Sequence, residues 1–210
     1  MSEPSAPSTE GAYVLSVPIE GMTDLPRDVL ACVVTYLETT ERPAPASPDP
    51  EITFERLLGR DHARFHALFL AVGTPWLWTD RLRMSEAEQI ARLDAPNVFA
   101  FAVVHAGRDI GLAEIEAVEG DVEIVYFGLA GDATGRGLGR RTMNATLDRA
   151  WSLPQTRRVW LHTCTLDHPA ALGFYAAMGF RPYKRAVEIF RDPRALGLHP
   201  PDAGPTIPRL

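Results

Sequence analysis

Apolar positions in this chain follow two rhythms. Short valine- and isoleucine-rich runs, several alternating apolar with polar, give way to stretches in which apolar residues return every three or four places. The first rhythm predicts strands at Ile52 to Leu57, Val98 to His105, Ile110 to Val118, Val122 to Leu129, Arg158 to Thr165 and Tyr183 to Phe190. Turn signals at Ala106-Gly107-Arg108-Asp109 and Glu119-Gly120-Asp121 join three of these into an antiparallel meander. The second rhythm predicts helices over Asp61 to Val72, Ser85 to Leu93, Leu138 to Trp151 and Pro169 to Met178. Ser85 and Glu88 have capping-box spacing. Gly179 suits a left-handed helix end, with Phe180 as its apolar partner. Two further valine-rich runs, Tyr13 to Val17 and Val29 to Leu37, are joined by the turn-like Gly21 to Pro26 and read as an N-terminal extension of the sheet.

Breakers divide the chain. Residues 1–12, rich in Ser, Pro and Glu, read as a disordered tail, and 13–42 as the strand extension. Pro43, Pro45, Pro48 and Pro50 make 43–50 a stiff linker, because each fixes φ and removes a backbone donor. One folded domain then spans 51–192, and 193–210 is an irregular, proline-rich tail.

Composition narrows the classes. With 210 residues, 46% hydrophobic, the chain can bury one substantial core. A formal charge of -6 gives no electrostatic reason to bind nucleic acid. The two cysteines, Cys32 and Cys164, suggest neither a disulfide framework nor a thiolate zinc site. His62 and His66 have i, i+4 spacing but enclose Ala63-Arg64-Phe65 rather than a zinc-hydrolase glutamate, so no metal is expected. The N-terminus lacks a secretory pattern and no apolar run would span a bilayer, which leads to the expectation of a soluble, cytoplasmic protein without membrane contact.

The segment Gly135-Arg136-Gly137-Leu138-Gly139-Arg140 lies between a predicted strand and a predicted helix, where free backbone N–H groups can converge on an anion. It is not a dinucleotide fingerprint, since Arg140 stands where the third glycine belongs, and it lacks the Gly-Lys-Ser/Thr of a Walker loop. An ordinary glycine turn is the alternative. Downstream lies His168-Pro169-Ala170-Ala171-Leu172-Gly173-Phe174-Tyr175-Ala176-Ala177-Met178-Gly179-Phe180.

Together these segments resemble motifs A and B of the GNAT superfamily of acetyl-CoA-dependent N-acetyltransferases. Gly137 and Gly139 match the first motif, with Thr134 where Arg or Gln is usual. Ala171, Tyr175, Gly179 and Phe180 match the second, with His168 in place of Asn. The resemblance covers Ile52 to about Phe190. It implies an α+β fold with a mixed, mostly antiparallel sheet that splays at the strand ending at Leu129, flanked by helices. It further implies acetyl-CoA as donor, its pyrophosphate on the amides of 134–140, and its pantetheine arm along the backbone of Phe127, Gly128 and Leu129.

The same resemblance offers chemistry. Tyr175 would protonate the departing thiolate, or else be a core aromatic; Glu123 would deprotonate the amine, directly or through water, or else be a solvent-facing residue. Glu114 and Glu116 are reserves. His168 would hydrogen-bond pantetheine, unless it only caps a helix. Trp76 and Trp78, with Arg81 and Arg83 nearby, would overhang the acceptor or anchor their loop. No cysteine lies in either motif, so direct attack on acetyl-CoA by a primary amine in a ternary complex is expected. The rivals are a non-catalytic acyl-CoA sensor and, more remotely, a nucleotide-phosphate enzyme. A homodimer is an expectation from the fold alone.

Overall fold

A computed structural model describes residues 20–44, 50–135 and 137–209. The tail at 1–12, the strand expected at Tyr13–Val17, the middle of the proline linker and Arg136 lie outside the described residues. Among those described, the order is β1 (Val29–Thr39), β2 (Ile52–Leu57), α1 (His62–Gly73), α2 (Glu86–Leu93), β3 (Val98–His105), β4 (Arg108–Val118), β5 (Asp121–Leu129), α3 (Leu138–Ser152), β6 (Arg158–Cys164), α4 (Ala171–Ala177) and β7 (Arg181–Arg191).

The seven strands form one sheet in the spatial order β2-β3-β4-β5-β6-β1-β7. All pairings are antiparallel except that of β5 with β6. The meander β3-β4-β5 turns through Ala106-Gly107 and Glu119-Gly120, all four with positive φ, as tight hairpins that match strand twist require. One face is covered by α3, whose Met143, Leu147 and Ala150 are buried with Ile115, Ile124, Val159 and Leu161. The other is covered by α1 and α2, which bury Phe65, Phe69, Val72 and Leu93 against Ala100, Ala102 and Leu112. Ser85 and Glu88 make the expected reciprocal capping box at the start of α2.

Two terminal features are more specific than the sequence expectation. β1 joins the sheet as expected, and its place is between β6 and β7, antiparallel to both. Its nearly continuous apolar run suits a strand with neighbours on both sides, and Cys32, Val34 and Leu37 are buried. The segment after β7 contains no helix or strand, yet it is packed. Ala203 and Ile207 bury against Leu77, and Arg194 grips both Asp192 oxygens and the carbonyls of Ala203 and Ile207. No helix among the described residues is long and apolar enough to cross a membrane.

Candidate active site

β5 and β6 pair only from Asp121↔Arg158 to Glu123↔Trp160, and beyond that they diverge. The cause is local to β5. Its register against β4 shifts between Ile115↔Ile124 and Glu114↔Tyr126, leaving Val125 unpaired as a bulge, which bends and twists a strand. From there to Leu129 the β5 edge facing β6 has no strand partner among the described residues, so its backbone groups can receive a ligand laid in like an added strand.

The gap opens into a cavity of ≈ 850 Å³. One wall is residues 124–129 of β5, another is the loop Trp76–Asp80, and a third is α4 with Phe174 and Tyr175. Gly128 is fixed by packing: a β-carbon there would run into Val72 of α1, so only glycine lets α1 approach the strand.

At the outer end of β5 the chain passes a short turn, Gly131–Ala133, into α3. Gly135 and Gly137 have φ of 74° and 75°, and a β-carbon at either would meet nothing within 4 Å. These glycines are therefore required by backbone conformation, and their surroundings are open. Gly137 is the N-cap of α3, and no side chain caps the helix. The first-turn amides of an uncapped helix lack partners and carry the positive end of the helix dipole, which makes this end a fit for a pyrophosphate. Thr134 turns its hydroxyl onto the Gly131 carbonyl at 2.8 Å, stabilising the turn. Leu138 buries its side chain in the core, so only its backbone faces the loop, whereas Arg140 is exposed.

α4 is set by its own ends. The N–H of Gly179 donates to Ala176 and that of Phe180 to Tyr175, the paired bonds of a Schellman ending, with Gly179 at φ 91° and Phe180 buried in the core. This rotates Tyr175 into the cavity, between Phe174 and Phe180 with ring centroids at 5.4 and 6.2 Å. Burial pushes its phenol well above the ordinary tyrosine value, so it is a proton donor at neutral pH. His168 accepts the Ala170 N–H on Nδ1 at 3.0 Å and meets Trp76 edge-on, 5.2 Å between centroids.

Residues 65–180, which carry this geometry, match the model of the Acetyltransferase (GNAT) family. The chain belongs to the GNAT acetyltransferase family. Three solved structures share the fold. A functionally unknown conserved protein from Staphylococcus epidermidis has a TM-score of 0.59 at 13% identity, over 78% of this chain and 63% of that one. A GCN5-related N-acetyltransferase from Sphaerobacter thermophilus has 0.55 at 17%, over 77% and 52%. The spermidine N-acetyltransferase SpeG from Vibrio cholerae has 0.50 at 18%, over 70% and 98%. The chain thus spans less than two thirds of the length of the first two. No curated protein matches it.

Within this GNAT fold the sequence-derived candidates separate. Phe127, Gly128, Leu129, Thr134, Gly135, Gly139, His168, Tyr175, Trp76 and Trp78 all line the one cavity. Trp78 also anchors its loop, packing on Phe69 and Tyr126 and donating its indole N–H to Asp167 at 3.4 Å. Glu123 stands at the apex of the split but does not itself line the cavity; its Oε1 lies 3.4 Å from Nδ1 of His162, which does. The reserve carboxylates are committed elsewhere. Glu114 is fully buried against Arg81, and Glu116 holds Arg92 and Asn97. Arg81 is thus turned away from the cavity, which Arg83 lines. His62 bonds Gln89 at 3.1 Å.

Sequence reasoning missed His162, Asp167 and the meeting of Cys32 with Cys164. Asp167 accepts from the Thr163 hydroxyl and the Cys164 N–H at 2.8 and 3.0 Å, closing the loop after β6. Cys32 donates its thiol to Glu188 at 3.7 Å, and the proximity of the two sulfurs holds Cys164 below the ordinary thiol value and raises Cys32. A period-2 signal was available: Trp160, His162 and Cys164 alternate with buried Val159, Leu161 and Thr163. It shows one shared face but not that β1 brings Cys32 beside it.

Proposed function

We propose that this protein is an N-acetyltransferase that moves the acetyl group of acetyl-CoA directly to a primary amine on a small molecule. The observation that carries the reading is the single cavity joining three elements: the glycine loop before α3, the unpaired edge of β5 and the phenol of Tyr175. A pyrophosphate held on the amides around Gly137 and Gly139 leaves a pantetheine arm running back along 127–129 toward the apex. The carrier's thiol end then lies within the cavity that Tyr175 enters. There the Leu129-side main chain polarises the thioester carbonyl, and the Tyr175 hydroxyl supplies the proton for the thiolate.

The acceptor enters from the side of Trp76, Trp78 and Arg83. A cavity of ≈ 850 Å³ must hold the acyl end of the donor as well, which favours a compact amine over a folded protein. The spermidine acetyltransferase of the same fold acts on such a molecule.

The test is calorimetry with acetyl-CoA, followed by thiol release over a panel containing spermidine, an amino sugar and a lysine-bearing peptide. Binding with turnover of a small amine supports the proposal. Binding with no turnover on any amine favours the sensor reading. Because Cys164 lines the cavity with a depressed thiol pKa, intact-mass analysis after mixing with acetyl-CoA belongs beside it; a stable acetyl adduct on Cys164 would replace direct attack by a covalent route.

A further inference from the structure

Resting on that acetyl-transfer reading, we propose that His162 is the general base, and that Glu123 is its positioning residue, holding the imidazole by Nδ1 so that Nε2 faces the amine. The geometry is specific. His162 lies two residues beyond Trp160, the last β6 residue paired with β5, so it is the first residue on its face of the split to enter the cavity. Its Nδ1 is 3.4 Å from Glu123 Oε1. Nε2 makes no hydrogen bond among the described residues. The ring is braced by Tyr36 and Trp160, with centroids at 5.6 and 6.5 Å. Its side chain is 45% exposed and that of Glu123 is 20% exposed, so the imidazole can meet an acceptor while the carboxylate behind it is largely shielded.

The charges around the ring favour this division of labour. The Glu123 carboxylate, facing Nδ1–H as its acceptor, raises the pKa of His162, burial opposes it, and Asp167 and Glu188 add to the rise. The cations on the same face are engaged elsewhere: Arg158 with Glu38 and Asp121, and Lys184 over the Tyr36 ring. Tyr36 on β1, Cys164 and Cys32 complete the titratable neighbours. A carboxylate accepting from Nδ1–H fixes the tautomer that leaves a lone pair on Nε2, a base near neutrality rather than the weak one that a carboxylate itself provides.

The step balances. The amine nitrogen bonds to the carbonyl carbon and gives a proton to Nε2 of His162. The C–S bond breaks with its electron pair on sulfur, and the Tyr175 hydroxyl proton passes to that sulfur. The imidazolium proton returns to the phenolate through water, restoring both groups.

The experiment compares wild type, His162→Gln and Glu123→Gln by donor calorimetry, by the pH profile of kcat/KM on an amine found in the screen, and by NMR titration of the His162 ring. For His162→Gln we expect an unchanged donor Kd, about a 10²-fold loss of kcat, and loss of the acidic limb. For Glu123→Gln we expect a smaller loss, with the limb and the NMR titration of His162 both moved to lower pH. Wild-type rate and pH profile in His162→Gln overturn the proposal. So does an NMR pKa of His162 that Glu123→Gln leaves in place, or a Glu123→Gln enzyme that is dead while His162→Gln works. If the wild-type protein binds acetyl-CoA but turns over no amine, the parent reading fails first, and this one fails with it.

Discussion

Gly137 offers a test in which charge can be separated from shape. Its φ of 75° means any other residue adopts a left-handed backbone, costing about 1–2 kcal/mol of stability. A β-carbon there meets nothing within 4 Å, so no steric cost is added. Gly137→Ala, Gly137→Gln and Gly137→Glu therefore share one backbone penalty, and Gln and Glu also share size. The Glu carboxylate differs only in placing a negative charge at the anion cradle. At ~6 Å, with an effective dielectric between about 20 and 80, each phosphate charge adds about 0.7–3 kcal/mol of repulsion, so two put the loss near ~3 kcal/mol, about 10²-fold in Kd. A carboxylate at a helix N-terminus suits the dipole, so Gly137→Glu should melt no lower than Gly137→Gln. Calorimetry with acetyl-CoA at low and high salt measures the gap, which should narrow as the Debye length falls to about 3 Å at 1 M. Equal Kd values for the Glu and Gln variants would refute the placement of the pyrophosphate at this helix end.

Other consequences are as direct. Tyr175→Phe keeps the ring between Phe174 and Phe180, so donor Kd and melting temperature should hold while kcat falls by about 10²-fold in steady-state assays. Arg81→Met leaves Glu114 as an unpaired buried carboxylate and should cost about 3–5 kcal/mol in urea unfolding, most of it recovered when Glu114→Leu is added. The Arg92 hydrogen bond holds the Glu116 carboxyl below its ordinary value, so its contribution is present above the unfolded pKa of about 4.3 and lost as pH falls through the lower folded value. Glu116→Gln should therefore melt lower than wild type at pH 7 and converge with it below about pH 4; a constant gap would contradict the assignment.

Patterns that act over a few residues were legible in the chain itself. The Ser85/Glu88 box, the turns at Ala106-Gly107 and Glu119-Gly120, the uncapped glycine loop and the Schellman end at Gly179 depend on neighbours within about one turn, and each is present where the sequence places it. The same locality made the two family motifs readable, and with them Tyr175 and the glycine loop that line the cavity. The wall that carries His162 and Cys164 was not readable, because it is assembled by pairing between strands far apart in the chain. β1 enters between β6 and β7 only in three dimensions, and that insertion brings Cys32 to Cys164 and braces His162 with Tyr36. Glu123 shows the boundary most clearly. Its place on a strand is set by alternation, whereas the bulge at Val125 and the parting of β5 from β6 determine that its carboxylate meets an imidazole rather than solvent. Local backbone preference wrote the elements, and the tertiary packing of distant strands chose which side chains share the cleft.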